Sequence, residues 1–146
     1  MILTSHQLAI AADVTGEQGN VLDTATAYYF PRHLRITDDQ EQTRKVDETE
    51  ILKIAGPKIV LGEPGMGKSD LIRELGRRLE IKHVTAIRFM HSRNPARFVI
   101  AGKPLLIDGL DEAMACREGD AVDMILAQLE DAGAPDFILS CRAREW

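Results

Sequence analysis

Lys58-Ile59-Val60-Leu61-Gly62-Glu63-Pro64-Gly65-Met66-Gly67-Lys68-Ser69 is the stretch from which the rest of the chain is best read. Its first four residues are a short, mostly aliphatic run and predict a buried strand. Three glycines follow among six positions, then a lysine and a serine. Gly65 and Gly67 permit positive φ and a close backbone approach to a ligand, and Pro64 stiffens the loop. Beyond Ser69, the apolar residues Leu71, Ile72, Leu75 and Leu79 recur at helical spacing, which predicts a helix over 68–80. Strand, glycine loop and helix in this order aim backbone N–H groups and the positive end of a helix at one point, an arrangement that holds an anion.

The string Gly62–Ser69 fits G-x-x-x-x-G-K-[ST], the phosphate-binding P-loop or Walker A motif. Read that way, Gly62, Glu63, Pro64, Gly65, Met66, Gly67, Lys68, Ser69 and Asp70 form the nucleotide site. The Lys68 ammonium reaches the outer phosphates and the Ser69 hydroxyl ligates Mg²⁺. A second string, Leu105-Leu106-Ile107-Asp108-Gly109-Leu110-Asp111-Glu112, reads as three buried aliphatics ending in an acid. This is a Walker B strand, with Asp108 predicted to stand beside the glycine loop and share the Mg²⁺ with Ser69. Asp111 and Glu112 supply carboxylates able to orient or deprotonate a water at the γ-phosphate. A third strand, Phe137-Ile138-Leu139-Ser140, ends in a polar residue followed by Cys141 and Arg142. Arg142 is a candidate partner for the γ-phosphate or for the acidic cluster. Arg144 is the fallback, and a plain surface ion pair of Arg142 with Asp136 or Glu145 is the simpler alternative.

From position 51 onward the pattern alternates. Strands are predicted at 58–61, 83–90, 104–108 and 137–140, with helices at 68–80, 94–100 and 118–131. Alternating βα units give a parallel sheet with helices on both faces, whose ligands bind at the carboxyl ends of the strands. The first fifty residues read differently. Residues 1–15 suggest a short amphipathic helix or an unstructured start, and 13–20 a turn. One or two strands are expected around Tyr28-Tyr29-Phe30, a trio that suits either a core or an adenine-stacking surface. Residues 37–50 read as an exposed polar loop.

The chain has 146 residues, 45% of them hydrophobic and 28% charged, with formal net charge -5. That is enough for a real core, and the acidic balance speaks against a nucleic-acid footprint. Cys116 and Cys141 make neither a disulfide framework nor a zinc spacing, so a cytoplasmic setting is expected. His6, His33, His83 and His91 are scattered. No membrane-length apolar run and no leader pattern occurs.

Taken together, Gly62–Ser69, Leu105–Glu112 and Phe137–Arg142 resemble a NACHT-type ATPase, within the signal-transducing STAND class of P-loop NTPases. The D-G-L-D-E form is the most telling piece. AAA+ ATPases place the catalytic glutamate directly after the Mg²⁺ aspartate, whereas Gly109 fills that slot here. The resemblance implies Asp108 as the Mg²⁺ acid, Asp111 as the leading catalytic acid with Glu112 beside it, and Arg142 as a sensor arginine. It also implies a three-layer, additional-strand sheet of order 5-1-4-3-2, and an ATP/ADP-controlled switch that self-associates in signalling or antiphage defence.

Residues 51–146 stop short of a fifth core strand and a helical lid, so the chain is expected to be a piece of a larger ATPase preceded by a 1–50 extension. Two further expectations follow: strand 5 missing, with an open sheet edge beside the P-loop strand, and weaker nucleotide binding than in a full-length protein. The competing readings are a non-hydrolysing nucleotide-binding module, a small-molecule kinase using Arg88, Arg93 and Arg97, and, least well, a nucleic-acid motor. ATP is preferred to GTP from the resemblance and because no N-K-x-D string occurs.

Overall fold

The run Lys58–Leu61 lies in the middle of a sheet, where both of its faces are covered. The computed structural model describes residues 8–13, 33–37, 43–116 and 120–142. Its strands are β1 (Leu8–Asp13), β2 (His33–Thr37), β3 (Thr43–Asp47), β4 (Lys58–Leu61), β5 (Val84–Thr85), β6 (Leu105–Asp108) and β7 (Phe137–Cys141). Its helices are α1 (Lys68–Leu79), α2 (Ala86–Met90), α3 (Leu110–Cys116) and α4 (Ala121–Asp131), with 3-10 turns at Glu50–Lys53 and Pro95–Phe98. The sheet runs β3-β2-β1-β4-β7-β6-β5. Strands β4, β7, β6 and β5 are mutually parallel, while β1, β2 and β3 form an antiparallel meander.

Side chains alternate across the central strands, so each strand feeds two cores. Ile59, Leu105, Ile107 and Leu139 pack with α2, α3 and α4 residues such as Phe89, Leu110 and Ile125. Val60, Leu106 and Ile138 face the other way, onto Leu71, Ile72 and Leu75 of α1. Burial on both sides explains the unbroken aliphatic runs of β4 and β6. The result is a three-layer α/β arrangement with α1 on one face and α2–α4 on the other.

Several local expectations change. The predicted strand at 83–90 is two residues long, because the Thr85 hydroxyl accepts a hydrogen bond from the Arg88 N–H (3.3 Å) and caps α2. Within 94–100, Pro95–Phe98 form a 3-10 turn, not an α-helix. The helix expected at 118–131 spans Ala121–Asp131, and α3 precedes it. The polar stretch 37–50 holds β3, with Arg44, Lys45 and Asp47 exposed and Val46 buried. Charged residues on an edge strand discourage pairing with another chain. Tyr28-Tyr29-Phe30, Arg144 and Glu145 lie outside the described residues.

The largest correction concerns the edge beside β4. The four parallel strands stand in the expected relative order, but the flank is not open. β1 pairs parallel with β4, in register Ala9↔Ile59 and Ile10↔Val60, and residues 1–15 therefore contribute a strand where a helix or an unstructured start was expected. Leu34 of β2 and Val46 of β3 extend the α1-side core. A charge cluster ties this meander to α1: Arg78 pairs with both Glu48 and Glu74. Hydrogen bonds from Arg77 and Arg78 hold the Glu74 carboxyl down to about 2. Among the described residues, no helix is long and apolar enough to cross a membrane.

Candidate functional site

Three chain segments end at the same rim of the parallel sheet, the carboxyl ends of β4, β6 and β7. Gly62 continues beside β7, its N–H donating to the Cys141 carbonyl at 3.3 Å. The loop then turns through Gly65 (φ +81) and Gly67 (φ +72) into α1. Both φ values lie in the left-handed region that glycine enters without strain, as the spacing predicted. No side chain caps α1 at Gly67. The N–H groups of its first turn, orphaned in any helix, border a cleft of about 340 Å³ lined by Gly67, Lys68, Ser69 and Asp70 among others.

Lys68 folds back over its own loop. Its ammonium donates to the Gly62 carbonyl at 2.6 Å and to the Glu63 carbonyl at 3.2 Å. Gly62, Glu63 and Met66 do not line the cleft. The first two act instead as a cradle that keeps the lysine at the mouth. Pro64 and Gly65 line the cleft from the loop side.

On the other wall, β6 delivers Asp108 next to the start of α1. The Ser69 hydroxyl donates to Asp108 Oδ1 at 3.1 Å, across 39 residues of sequence. This hydroxyl and carboxylate are the pair available to a divalent cation. Among the described residues, no three or more His, Cys, Asp or Glu side chains gather as a metal cage. A cation held by one hydroxyl and one carboxylate needs oxygens from ligand and water to complete its shell, which suits Mg²⁺.

The chain reverses at Gly109 (φ +79), which sends Asp111 and Glu112 into the first turn of α3, both facing the cleft. Arg142, just past β7, meets Asp111 there with Nε 2.8 Å from Oδ2. The Asp111 side chain is 11% exposed and that of Arg142 43%. Asp136 lies near the opposite end of the sheet, where its Oδ2 accepts from the Gly56 N–H at 3.3 Å.

Two lining residues were not singled out by the sequence. Arg73, one helical turn beyond Ser69, pairs with Asp70 at 2.9 Å. Helical spacing alone places it on the cleft side of α1. Ser140, 1% exposed, bonds Asp108 directly at 2.6 Å. In the sequence it was visible only as the polar residue ending a strand.

No family model, no curated protein and no solved structure matches the chain. What the fold and the cleft define is an α/β protein with a polar, charge-lined site at the carboxyl rim of its parallel strands.

Proposed function

We propose that the chain binds a magnesium nucleoside triphosphate at this rim and hydrolyses it slowly, in the manner of a NACHT-like P-loop switch. The observation carrying the proposal is the convergence of Lys68, Ser69, Asp108, Asp111 and Arg142 on one cleft, from three separate strand ends. In this reading the Gly65–Asp70 backbone and the α1 terminus hold the phosphates. Lys68 exchanges its two loop carbonyls for phosphate oxygens, a stronger, charge-assisted contact. Mg²⁺, carried by Ser69 and Asp108, supplies charge neutralisation. Asp111 orients the attacking water or takes its proton, and Arg142 answers the charge on the terminal phosphate.

ATP as the nucleotide, and a role in signalling or defence, rest on the sequence resemblance and the D-G-L-D-E string. A second reading draws on the Asp111–Arg142 pair. It neutralises the proposed base and the proposed sensor against each other. If the pair persists with nucleotide bound, the chain is a binding module without turnover.

The test is Mg²⁺-dependent ATP binding and phosphate release in wild type, Lys68→Ala and Asp111→Asn. Binding lost in Lys68→Ala, with release lost in both variants, supports the switch. Binding without release in any protein supports the module. Transfer of phosphate to a small metabolite supports a kinase, and the absence of nucleotide binding by the wild type ends the proposal.

A further inference from the structure

Ser140 lies on β7, two residues before Arg142, and its side chain is closed off from solvent. Its hydroxyl has two partners, which fix the direction of each bond. The Gly109 N–H can only donate, and it donates to Ser140 Oγ at 2.8 Å. The hydroxyl proton is therefore directed to Asp108 Oδ1, at 2.6 Å. Asp108 Oδ1 thus takes hydrogens from both Ser140 and Ser69, and the Ser140 contact is the shorter.

The two serines differ in what a cation would do to them. To ligate Mg²⁺, Ser69 must turn a lone pair toward the metal, and its 3.1 Å bond to Asp108 must then fit the direction that the metal sets. Ser140 sits one strand away, and among the described residues its hydroxyl bonds Asp108 and the Gly109 amide, so its proton stays with Asp108 whatever Ser69 does. It also joins β7 to the β6–α3 turn, so the same hydroxyl orients the acid and pins the left-handed Gly109 that sends Asp111 into the cleft.

We propose that Ser140 is the positioning residue for the metal-binding acid. It holds Asp108 by one oxygen, so that the other stays turned to the cation when Ser69 is recruited to it. This inference deepens the nucleotide-and-metal reading of the cleft and rests on it. Partners that orient metal ligands contribute roughly 10–100-fold in metal affinity when removed.

The test compares wild type, Ser140→Ala, Ser140→Cys and Ser140→Thr. Nucleotide affinity is measured in EDTA and again across a Mg²⁺ titration. Ser140→Ala is expected to bind ATP in EDTA within about twofold of wild type, while its Mg²⁺ requirement rises about tenfold or more. Ser140→Thr, which keeps the hydroxyl, restores the requirement, and Ser140→Cys, near in volume but a weak donor, does not. Equal weakening in EDTA and in Mg²⁺ would show a merely structural role and overturn the inference, as would an unchanged Mg²⁺ requirement.

A readout without nucleotide separates this inference from the wider proposal. Loss of the hydroxyl must shift the Gly109 amide resonance and speed its hydrogen exchange in Ser140→Cys, and in Ser140→Ala if that variant folds. If wild type binds no nucleotide yet Gly109 responds, the functional reading fails and the clamp on Asp108 stands. If Gly109 is indifferent in both variants, the clamp itself is wrong.

Discussion

Two clefts open at opposite ends of the same parallel sheet, and the larger is not the one with converging chemistry. At the amino ends of the strands, a cleft of about 490 Å³ is lined by Leu52, Ile54, Lys58, Lys103 and Asp136 among others. Three of its charged groups are engaged by backbone around them and do not converge on a common point. Lys58 donates to the Gly56 carbonyl at 2.6 Å, Lys103 to the Leu79 carbonyl at 2.5 Å, and Asp136 accepts from the Gly56 N–H. At the carboxyl ends, the cleft of about 340 Å³ is smaller, yet acids, a lysine, a serine and an uncapped helix start face a common space. The difference follows from parallel architecture: every βα turn lies at one rim, and turns are where backbone N–H groups and polar side chains are free to meet a ligand. Volume is a poor guide to function unless the groups around it converge.

Removing one lysine from each cleft should separate the two most clearly. Lys68→Ala should weaken nucleotide binding roughly 10–150-fold, the range for losing a hydrogen bond to a charged group. Lys58→Met should leave it within about twofold, the change expected of a residue that does not touch the ligand. Isothermal titration of both variants decides it: equal losses would overturn the distinction between the clefts, and a larger loss in Lys58→Met would reverse it. Next in size, Asp108→Asn should remove most of the Mg²⁺ enhancement of binding, about tenfold or more, and leave affinity in EDTA nearly intact.

Lys58 supplies a third contrast, in stability rather than affinity. Burial lowers its ammonium from the usual lysine range, and Asp136 only partly opposes this. The folded state therefore holds its proton less tightly than the unfolded state does, so wild-type stability should rise with pH through the window from that lowered value up to 10.5. Lys58→Met should lack this rise. At neutral pH it should be as stable as wild type or more so, by up to about 1 kcal/mol; urea melts at pH 7 and pH 10 would show it.

The smallest effect belongs to neither cleft. Glu74→Gln loosens the tie between α1 and the meander and should lower stability by about 1 kcal/mol at neutral pH. Because the carboxyl is held down to about 2, that deficit should persist above pH 4.5 and vanish as the pH falls towards 2, where wild type also loses the pair. Nucleotide affinity should not change.

The β4–loop–α1 unit was legible because its signals are local: an aliphatic run, glycines where φ turns positive, and a helical apolar period. Asp108 was legible for the same reason, as the acid that ends a buried run. What escaped was set by distant partners. Leu8-Ala9-Ile10-Ala11-Ala12-Asp13 is rich in alanine, which has little preference for strands, and it is extended because β2 and β4 flank it. Thr43–Asp47 carries the charges of a loop but lies at an edge where water takes one side. Ser140 and Asp108 are 32 residues apart and meet only because β7 inserts beside β6. No spacing rule marks such a pair, so Asp108 could be named from the sequence while the residue holding it could not.

The pairing of β1 with β4 also orders events during synthesis. β1 leaves the ribosome well before its parallel partner exists, since Ala9 faces Ile59. Its antiparallel neighbour β2 arrives sooner and β3 soon after, so the meander has the shorter loops to close and is placed to assemble first. It then offers β4 a ready template as that strand emerges, ahead of the glycine loop and α1. The strand that carries the candidate site is thus received onto an existing edge, which shields its apolar residues from unwanted pairing while the remainder of the sheet is still being made.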